Sequence, residues 1–426
     1  MIGFLKRLRR NERGNVLILT AFAMPMLIGS AGLATDTIQW ALWKRQLQKA
    51  ADSAAIAGVY ARMAGQDATA AVNYDVGYPN QPATGPNNNR TGYSLLTAPA
   101  VDLTLPNTAD YISPVRVQLK IQQTLPFSSM FLKNPPTITA NATAAGIETG
   151  EYCAQAQINT NATGITAGGN VNVNLRCGMI TNSTSMDAAV AFGSSVVAAS
   201  PVAAVGGLDT TDNWARGTTL IPFTLAQPDP FADINPPAIP NSCTDFRDNP
   251  QSNQTWPATA PPAGSVVCVR DWDSKGTVNL QPNTTYVITG NMKVNSSAVV
   301  NCSGCTFVMT NSTPANTGTL DINGGATLNL TAPTSGTYKG ILFYSDRNAS
   351  LNSVNKINGN SSTNFSGAFY FPHQKVEFTG TAGVTFQCLK LVSWQLTFLG
   401  NSSINNNCDP DWYGSRFRGR QVRLVA

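Results

Sequence analysis

The chain has 426 residues and a net charge of +5, and only 12% of its residues are charged, about half the share in an average soluble domain. Hydrophobic residues make up 42%, so the composition excludes a disordered chain of the high-charge kind. Basic residues do not alternate with aromatic residues along any stripe, and nucleic-acid binding is therefore not expected. Abundant Asn, Gly, Thr and Ser beside recurring β-branched residues predict a mainly β protein.

The first predicted element is a membrane-spanning helix at residues 16–35, a run of twenty residues without a charge. At about 1.5 Å per residue, this run matches the hydrocarbon core of a bilayer. Five basic residues precede the run and Asp36 follows it. The positive-inside rule therefore places the N-terminus in the cytoplasm and the rest of the chain outside it. A cleaved signal peptide ending at Gly32, Leu33 and Ala34 is the alternative. The cytoplasmic segment, residues 1–15, contains the basic residues Lys6, Arg7, Arg9, Arg10 and Arg13.

A helical stalk is predicted next, at residues 36–75, because the sequence to about Met63 contains no Pro and is dominated by helix-forming residues. One face of this helix consists of small residues at spacings of three and four, which allow another backbone to approach closely. Either a partner helix of an assembly or the protein's own β domain covers this face. The face comprises Leu47, Ala51, Ala54, Gly58 and Ala61.

The apolar run and the helix after it contain three short sequence elements: Arg13-Gly14-Asn15, Gly32-Leu33-Ala34 with Asp36, and Leu47-Gln48 with Ala50-Ala51-Asp52 and Ala54-Ala55. In these elements the N-terminal region resembles the TadE/TadG-like proteins of the Tad (Flp) pilus-assembly system. The resemblance covers about fifty residues, and the segments 115–119, 139–144 and 168–185 are similar to later parts of the same group. It implies a single-pass protein of the bacterial inner membrane, with a periplasmic or cell-surface C-terminal domain. Its helix would contact other pilus-assembly or pilin-like proteins.

Two departures from that group limit what the resemblance implies. Pilin-like members are cleaved after a Gly and carry a Glu five residues later, whereas Leu19 stands at that place after Gly14. Processing as a pilin subunit is therefore not expected. Some longer members contain a von Willebrand A domain with an Asp-x-Ser-x-Ser metal site, and this sequence has no such run.

Beyond the stalk, the sequence predicts an exposed loop at 77–92 and β structure elsewhere. A small β region is expected at 93–147, a first β-rich segment at 148–205, a Pro-rich irregular connection at 206–262 and a β-helix at 263–408. The triplets that begin at Ile357, Phe378 and Phe398 each end in Gly and recur after 21 and 20 residues. Such spacing is typical of stacked solenoid coils and favours a right-handed parallel β-helix over an antiparallel sandwich.

The basic tail at 409–426 is expected to lack fixed structure. It contains Arg416, Arg418, Arg420 and Arg423, which could meet an acidic partner, a cell-wall polymer or lipid headgroups.

The eight cysteines all lie beyond residue 150 and form an even set, which indicates disulfides in an oxidising compartment. Sequential pairing is predicted. A zinc site at Cys302-x-x-Cys305 is the alternative, although it lacks a second pair of ligands. The predicted pairs are Cys153–Cys177, Cys243–Cys268, Cys302–Cys305 and Cys388–Cys408.

No catalytic, cofactor-binding or metal-binding group is predicted. Asp271 and Asp273 flank Trp272, a grouping found both in sugar sites and in solvated turns. His373 is the single histidine, which argues against a Ser-His-Asp triad. The last third of the chain has few acids, and the sequence indicates no ladder of carboxylates among them. They are Asp321, Asp346, Glu377, Asp409 and Asp411.

The sequence therefore predicts a non-catalytic, membrane-anchored component of Tad/Flp pilus assembly. The first alternative is a surface adhesin whose β-helix recognises cell-wall or surface glycan through aromatic residues such as Tyr344, Tyr370 and Trp394. A polysaccharide-active enzyme is the second alternative.

Overall fold

A computed structural model describes residues 12–79, 94–130, 132–262, 264–358, 363–380, 384–401, 403–407 and 417–425. The chain divides into two compact units. Unit 1 comprises Met1–Ile147 with Val422–Ala426, and unit 2 comprises Glu148–Gln421. The predicted loop at 77–92, most of the basic segment 1–15 and Cys408 lie largely or wholly outside the described residues.

Unit 1 begins with one long helix, α1 (Glu12–Met63), which continues through Pro25. A short helix, α2 (Ala68–Val76), follows. The Asp67 carboxylate accepts hydrogen bonds from the backbone N–H groups of Thr69 and Ala70, so it caps the first turn. At the other end Gly77 adopts φ 73°, a left-handed conformation that suits a helix C-terminus.

An antiparallel sheet packs on α1. It consists of β1 (Ala100–Asp102), β2 (Ile112–Gln122) and the first half of β3 (Thr137–Ala156). Alternate residues of β2 are fully buried, because one face of the sheet covers the helix while the other meets solvent. The residues buried from this strand are Val115, Val117, Leu119 and Ile121.

Unit 2 is a parallel β-solenoid of about ten turns, so the prediction of a parallel β-helix is confirmed and the antiparallel sandwich is excluded. Its coils contribute to three sheets. Sheet 1 contains the second half of β3, β6 (Gly178–Thr181), β9 (Val202–Ala204), β10 (Leu220–Ile221), the start of β13 (Val266–Ser274), β15 (Thr285–Ile288), β18 (Thr306–Met309), β21 (Ile341–Ser345), and the second halves of β23 (Asn364–Phe371) and β25 (Val384–Ser393).

Sheets 2 and 3 complete each coil, and β13, β23 and β25 bend from one sheet into the next. Sheet 2 contains β4 (Ile165–Ala167), β7 (Ala189–Ala191), β11 (Thr244–Arg247), the end of β13, β16 (Met292–Val294), β19 (Leu320–Ile322), β22 (Val354–Asn358), β24 (Lys375–Thr379) and β26 (Leu396–Phe398). Sheet 3 contains β5 (Asn172–Asn174), β8 (Val196–Ala198), β12 (Asn253–Trp256), β14 (Thr277–Leu280), β17 (Val299–Cys302), β20 (Thr327–Thr331), the first halves of β23 and β25, and β27 (Ser403–Asn407).

The coils do not stack in chain order. The chain enters the solenoid at the end of β3 and builds coils outward to β9 and β10. It then starts again at β11, and the last complete coil, formed by β25, β26 and β27, pairs in parallel with β3, β4 and β5. The first and last coils of the chain are therefore neighbours inside the solenoid.

The segment 222–243, here called the connecting strap, links β10 to β11 along the outer face of sheet 1. Phe231, Ile234 and Ile239 of the strap pack on an apolar row of that sheet. The Asn182 amide holds its start by donating to the Gln227 carbonyl at 2.8 Å. The strap therefore covers a face that a parallel sheet normally buries beneath helices. The apolar row includes Cys268, Val287, Val308, Tyr344, Tyr370 and Val392.

The ranges predicted from the sequence beyond residue 147 can be located in this architecture. Residues 148–205 and 263–408 both supply coils to one solenoid. The range 206–262 contains the strap together with β10, β11 and β12. The expectation of an unstructured tail is wrong for β28 (Phe417–Leu424), since the Arg418 guanidinium donates to the Glu148 carboxylate at 2.8 Å.

Candidate functional site: the membrane anchor and the solenoid surfaces

The N-terminal half of α1 exposes an apolar surface with no counterpart in the rest of the described chain. Among the described residues it is the one helix long and apolar enough to cross a membrane. Phe22 is 75% exposed and Met26 is 79% exposed. Exposed apolar side chains at this density suit contact with lipid. The others on this half are Leu19, Met24, Leu27, Ile28 and Leu33.

A single stripe of α1 is buried, and it contains the small-residue face. Leu47, Ala51 and Ala54 belong to one core cluster with residues of α2 and β2, and a Cβ built on Gly58 would be 3.0 Å from side-chain atoms of Val115 and Val72. Within unit 1, the protein's own sheet therefore packs against this face. Four of these residues, Leu47, Ala51, Ala54 and Ala61, are at most 6% exposed.

Polar residues of the same helix tie it to β3. The Gln48 amide donates to the Asp52 carboxylate at 2.8 Å and to the Asn141 carbonyl at 2.7 Å. The Lys44 ammonium donates to the Thr139 carbonyl. Gln48 and Asp52 also line a cavity of about 600 Å³ within unit 1, together with Arg116, Gln118, Asn141, Ala142, Thr143, Leu424 and Val425.

Gly32 and Asp36 hold a second contact, near the end of the apolar run. The Phe127 ring lies on Gly32, where an added Cβ would be 2.1 Å from the ring. The Asp36 carboxylate, 2% exposed, accepts a hydrogen bond from the Ser128 backbone N–H at 2.5 Å. The buried stripe of α1 thus extends from Gly32 to Ala61, which includes most of the positions that carry the family resemblance.

Residues 14–67 match one family model, described as "Putative Flp pilus-assembly TadE/G-like". The N-terminal segment is a TadE/G-like domain. Its match ends within unit 1 and covers nearly all of α1. No curated protein and no solved structure matches the chain. The match and the candidate membrane helix together support a membrane-anchored protein with a pilus-associated role.

Disulfides join Cys153 to Cys177, Cys243 to Cys268, and Cys302 to Cys305. The Cys243–Cys268 bond attaches the far end of the strap to sheet 1. Cys302 and Cys305, the residues of the alternative zinc site, are bonded to each other. Cys388 is also disulfide-bonded, and its predicted partner Cys408 lies outside the described residues.

The outer face of sheet 2 carries a row of alternating charges, here called the charged row. In parallel register, Asp273 faces Lys293, Asp321 faces Lys356, and Lys356 faces Glu377. Burial raises the pKa of the Asp273 carboxyl, but hydrogen bonds from Lys275 and Asn295 and the charges of Lys275 and Lys293 together hold that pKa below its usual value. Acids thus recur at the coil spacing, but each is separated from the next by a basic residue. The row is Arg247, Asp273, Lys293, Asp321, Lys356 and Glu377.

The outer face of sheet 3 carries a row of asparagines beside a shallow groove of about 420 Å³. The Asn301 amide donates to Asn279 at 2.9 Å, and the Asn329 amide donates to Asn301 at the same distance. Asn364 continues the row on the next coil. Amide side chains in such a row stabilise the stacking and also offer donors and acceptors to a ligand.

The aromatic residues considered for glycan binding, Tyr344, Tyr370 and Trp394, do not form an exposed row. Tyr344 and Tyr370 are fully buried beneath the strap, and their hydroxyls donate to the Ile234 carbonyl and the Asp229 carboxylate. Burial raises the pKa of Tyr370 and raises that of Tyr344 to about 12. Trp394 is half-buried and packs against His373 with ring centroids 5.9 Å apart. Burial lowers the pKa of His373.

The Asp271–Trp272–Asp273 triplet is held by structural contacts. Trp272 is 1% exposed and stacks on Phe246 inside the solenoid. Asp271 accepts from the Asn291 backbone N–H at 2.9 Å, and Asp273 forms an ion pair with Lys275 at 3.1 Å. No group of three metal-ligating side chains occurs in the described part of the chain.

Two glycines of a structural row, Gly380 and Gly400, were found by the sequence analysis, which missed the other two, Gly169 and Gly193. Gly380, Gly400, Gly169 and Gly193 follow one another on successive coils at the corner after sheet 2, each with positive φ. The signal was present, because Ala167 and Ala191 precede a Gly by two residues as Phe378 and Phe398 do. Alanine in place of the aromatic residue concealed the repeat.

Proposed function

We propose that this TadE/G-like protein is a non-catalytic component of Tad/Flp-type pilus assembly. Helix α1 anchors it in the bacterial inner membrane with the N-terminus in the cytoplasm. Unit 2 is then exported and stands in the periplasm or at the cell surface. Other pilus-assembly or pilin-like proteins would contact the membrane-embedded part of α1, since the small-residue face is already covered by the protein's own sheet.

The observation that carries this proposal is the coincidence of the family match with the anchor. The matched residues 14–67 contain both the apolar run and the stripe that holds unit 1 on α1. The basic residues before Val16 support the orientation. The disulfides support an oxidising compartment, because they are rare in proteins of the bacterial cytosol.

Deletion of the gene tests the role, with complementation by variants of the anchor. We expect deletion to reduce the number of pili or Tad-dependent adhesion, and the wild-type gene to restore it. A Leu27→Arg protein should fail to restore it, because a charge at mid-span opposes insertion, whereas Leu27→Phe should restore it. Unchanged piliation after deletion would overturn the proposal.

A surface adhesin that binds glycan is a second candidate, favoured by the asparagine row and its groove. The groove crosses several coils, and its amides could form the paired hydrogen bonds that sugar hydroxyls accept and donate. Binding of the full-length protein to cell-wall or surface glycan, lost in Asn329→Ala but not in Asn174→Ala, would support it. Equal binding by the wild type and both variants would argue against the groove.

A further inference from the structure

A short 3₁₀ turn, Ser128–Met130, lies against α1 where the apolar run ends. Phe127 rests on Gly32 and Ser128 donates to Asp36, so the turn is fixed at two points one helical turn apart. Gly32 is three residues before the end of the uncharged run, which corresponds to a depth of about 4.5 Å along the helix axis. The turn is thus held at the level where hydrocarbon gives way to headgroups.

The side chains that follow this contact are exposed and apolar. Met130 is 76% exposed and Leu132 is 44% exposed, and the exposed Lys133 comes next. Exposed apolar side chains beside a cation suit the boundary between acyl chains and headgroups, where apolar groups are buried and a Lys meets anionic lipid. The described contacts of the turn cover Phe127 and Ser128 and leave Met130 and Leu132 exposed.

We propose that residues 126–130 together with Leu132 and Lys133, here called the interface loop, form a second membrane contact of this protein. Met130 and Leu132 enter the headgroup region of the bilayer, and Lys133 meets the phosphates of anionic lipids. The loop thereby fixes the rotation and depth of α1, so that unit 1 stands in one orientation on the membrane. This inference rests on the proposed anchorage by α1 but not on the pilus role.

Depth-dependent quenching in vesicles of phosphatidylcholine and phosphatidylglycerol tests the loop. An environment-sensitive fluorescent amino acid is placed at Met26, Met130 or Tyr111 of the full-length protein, one site at a time. Tyr111 precedes Ile112, which lies with Met63 around Gly146, and Met63 is about 40 Å beyond Asp36 along the helix. Lipids spin-labelled near the headgroup should quench most of the fluorescence at 130 and little of it at 111. Lipids labelled deep in the acyl chain should quench the probe at 26.

The three probes separate the possible failures. Quenching at 26 without quenching at 130 would overturn the interface loop and leave the anchor intact. Absence of quenching at all three sites would overturn the anchor as well. A photo-crosslinker at Met130 should give lipid adducts in cells, and protein adducts in their place would overturn the lipid assignment.

Two glycine variants test whether the contact with α1 positions the loop. Gly32→Leu should displace Phe127 and remove most of the shallow quenching at 130, while quenching at 26 remains. Gly29→Leu is the matched control, because nothing lies within 4 Å of a Cβ at Gly29. Equal quenching at 130 in both variants would show that the loop reaches the bilayer without this contact and would overturn the positioning role.

Discussion

Single glycines set the closest approach between coils of the solenoid. At the corner after sheet 2, the carbonyls of Gly380, Gly400 and Gly169 each accept a backbone hydrogen bond from the next coil, that of Gly169 from Ser194 at 2.8 Å. A Cβ on Gly193 would be 2.8 Å from that same carbonyl oxygen, and Gly193 has φ 72°. Both the left-handed backbone and the lack of space therefore require glycine at this position.

We expect Gly193→Ala to lower the free energy of unfolding by about 2–3 kcal/mol, since the strain of positive φ and the steric clash add. Gly217→Ala is the control, because Gly217 has φ 88° but nothing within 4 Å of its Cβ. The control should lose only the conformational part, about 1 kcal/mol. Denaturant unfolding of the full-length protein in detergent measures both, and equal losses would contradict the steric argument.

At the scale of the strand, the charged row helps to select which coils pair. A shift of one residue in register moves every side chain of a strand to the other face, and a shift by a whole coil would place like charges opposite each other along sheet 2. The alternation ends at Glu377, because its next partner in register is Thr397. Thr397 belongs to β26, which pairs with the first coil of the chain through β4.

Position 397 therefore offers a matched pair of variants. Thr397→Lys continues the alternation beside Glu377, and Thr397→Glu places a like charge there. We expect the lysine variant to be more stable than the glutamate variant by about 0.5–1 kcal/mol at low salt. The difference should nearly disappear in about 1 M salt, where the screening length is about 3 Å. A difference that persists at high salt would mean that shape rather than charge decides it.

At the scale of the molecule, the order of coils requires a return path. The chain completes its first coils and then begins again at the other end of the solenoid, so the strap must run the length of the intervening coils. It carries three apolar residues onto sheet 1 and is tied by Arg347, which donates to the Phe231 and Ile234 carbonyls at 3.0 and 2.8 Å. The disulfide between Cys243 and Cys268 attaches the far end of the strap to sheet 1.

Removal of that disulfide should destabilise the solenoid and release the end of the strap. The double variant Cys243→Ser with Cys268→Ser opens a loop with a sequence separation of 25, for which loop entropy predicts a loss of about 3.5 kcal/mol. The control is Cys302→Ser with Cys305→Ser, whose separation is 3 and whose expected loss is about 2 kcal/mol. Unfolding midpoints and proteolysis within 222–243 measure the effect. Proteolysis there should increase only in the first variant.

The sequence by itself determined the elements that local physics governs. Twenty uncharged residues predict a span, the small residues between Leu47 and Ala61 predict a close-packed face, and a recurring Gly predicts coils. It could not show what covers the small-residue face, because β2 is brought onto it only by the fold of unit 1. The coil spacing could be recognised in the sequence only near the C-terminus, because an earlier coil is longer. Val308 and its partner Tyr344 on the next coil are 36 residues apart.

Only the tertiary structure decided which coils are neighbours and which residues lie beneath the strap. The pairing of the last coil with the first joins residues more than two hundred positions apart, such as Leu391 and Ala154. No local pattern encodes such a pairing, because parallel strands of similar composition can stack in several orders. The burial of Tyr344 and Tyr370 likewise follows from the path of the strap, since an alternating strand exposes or buries its outer face according to what lies upon it.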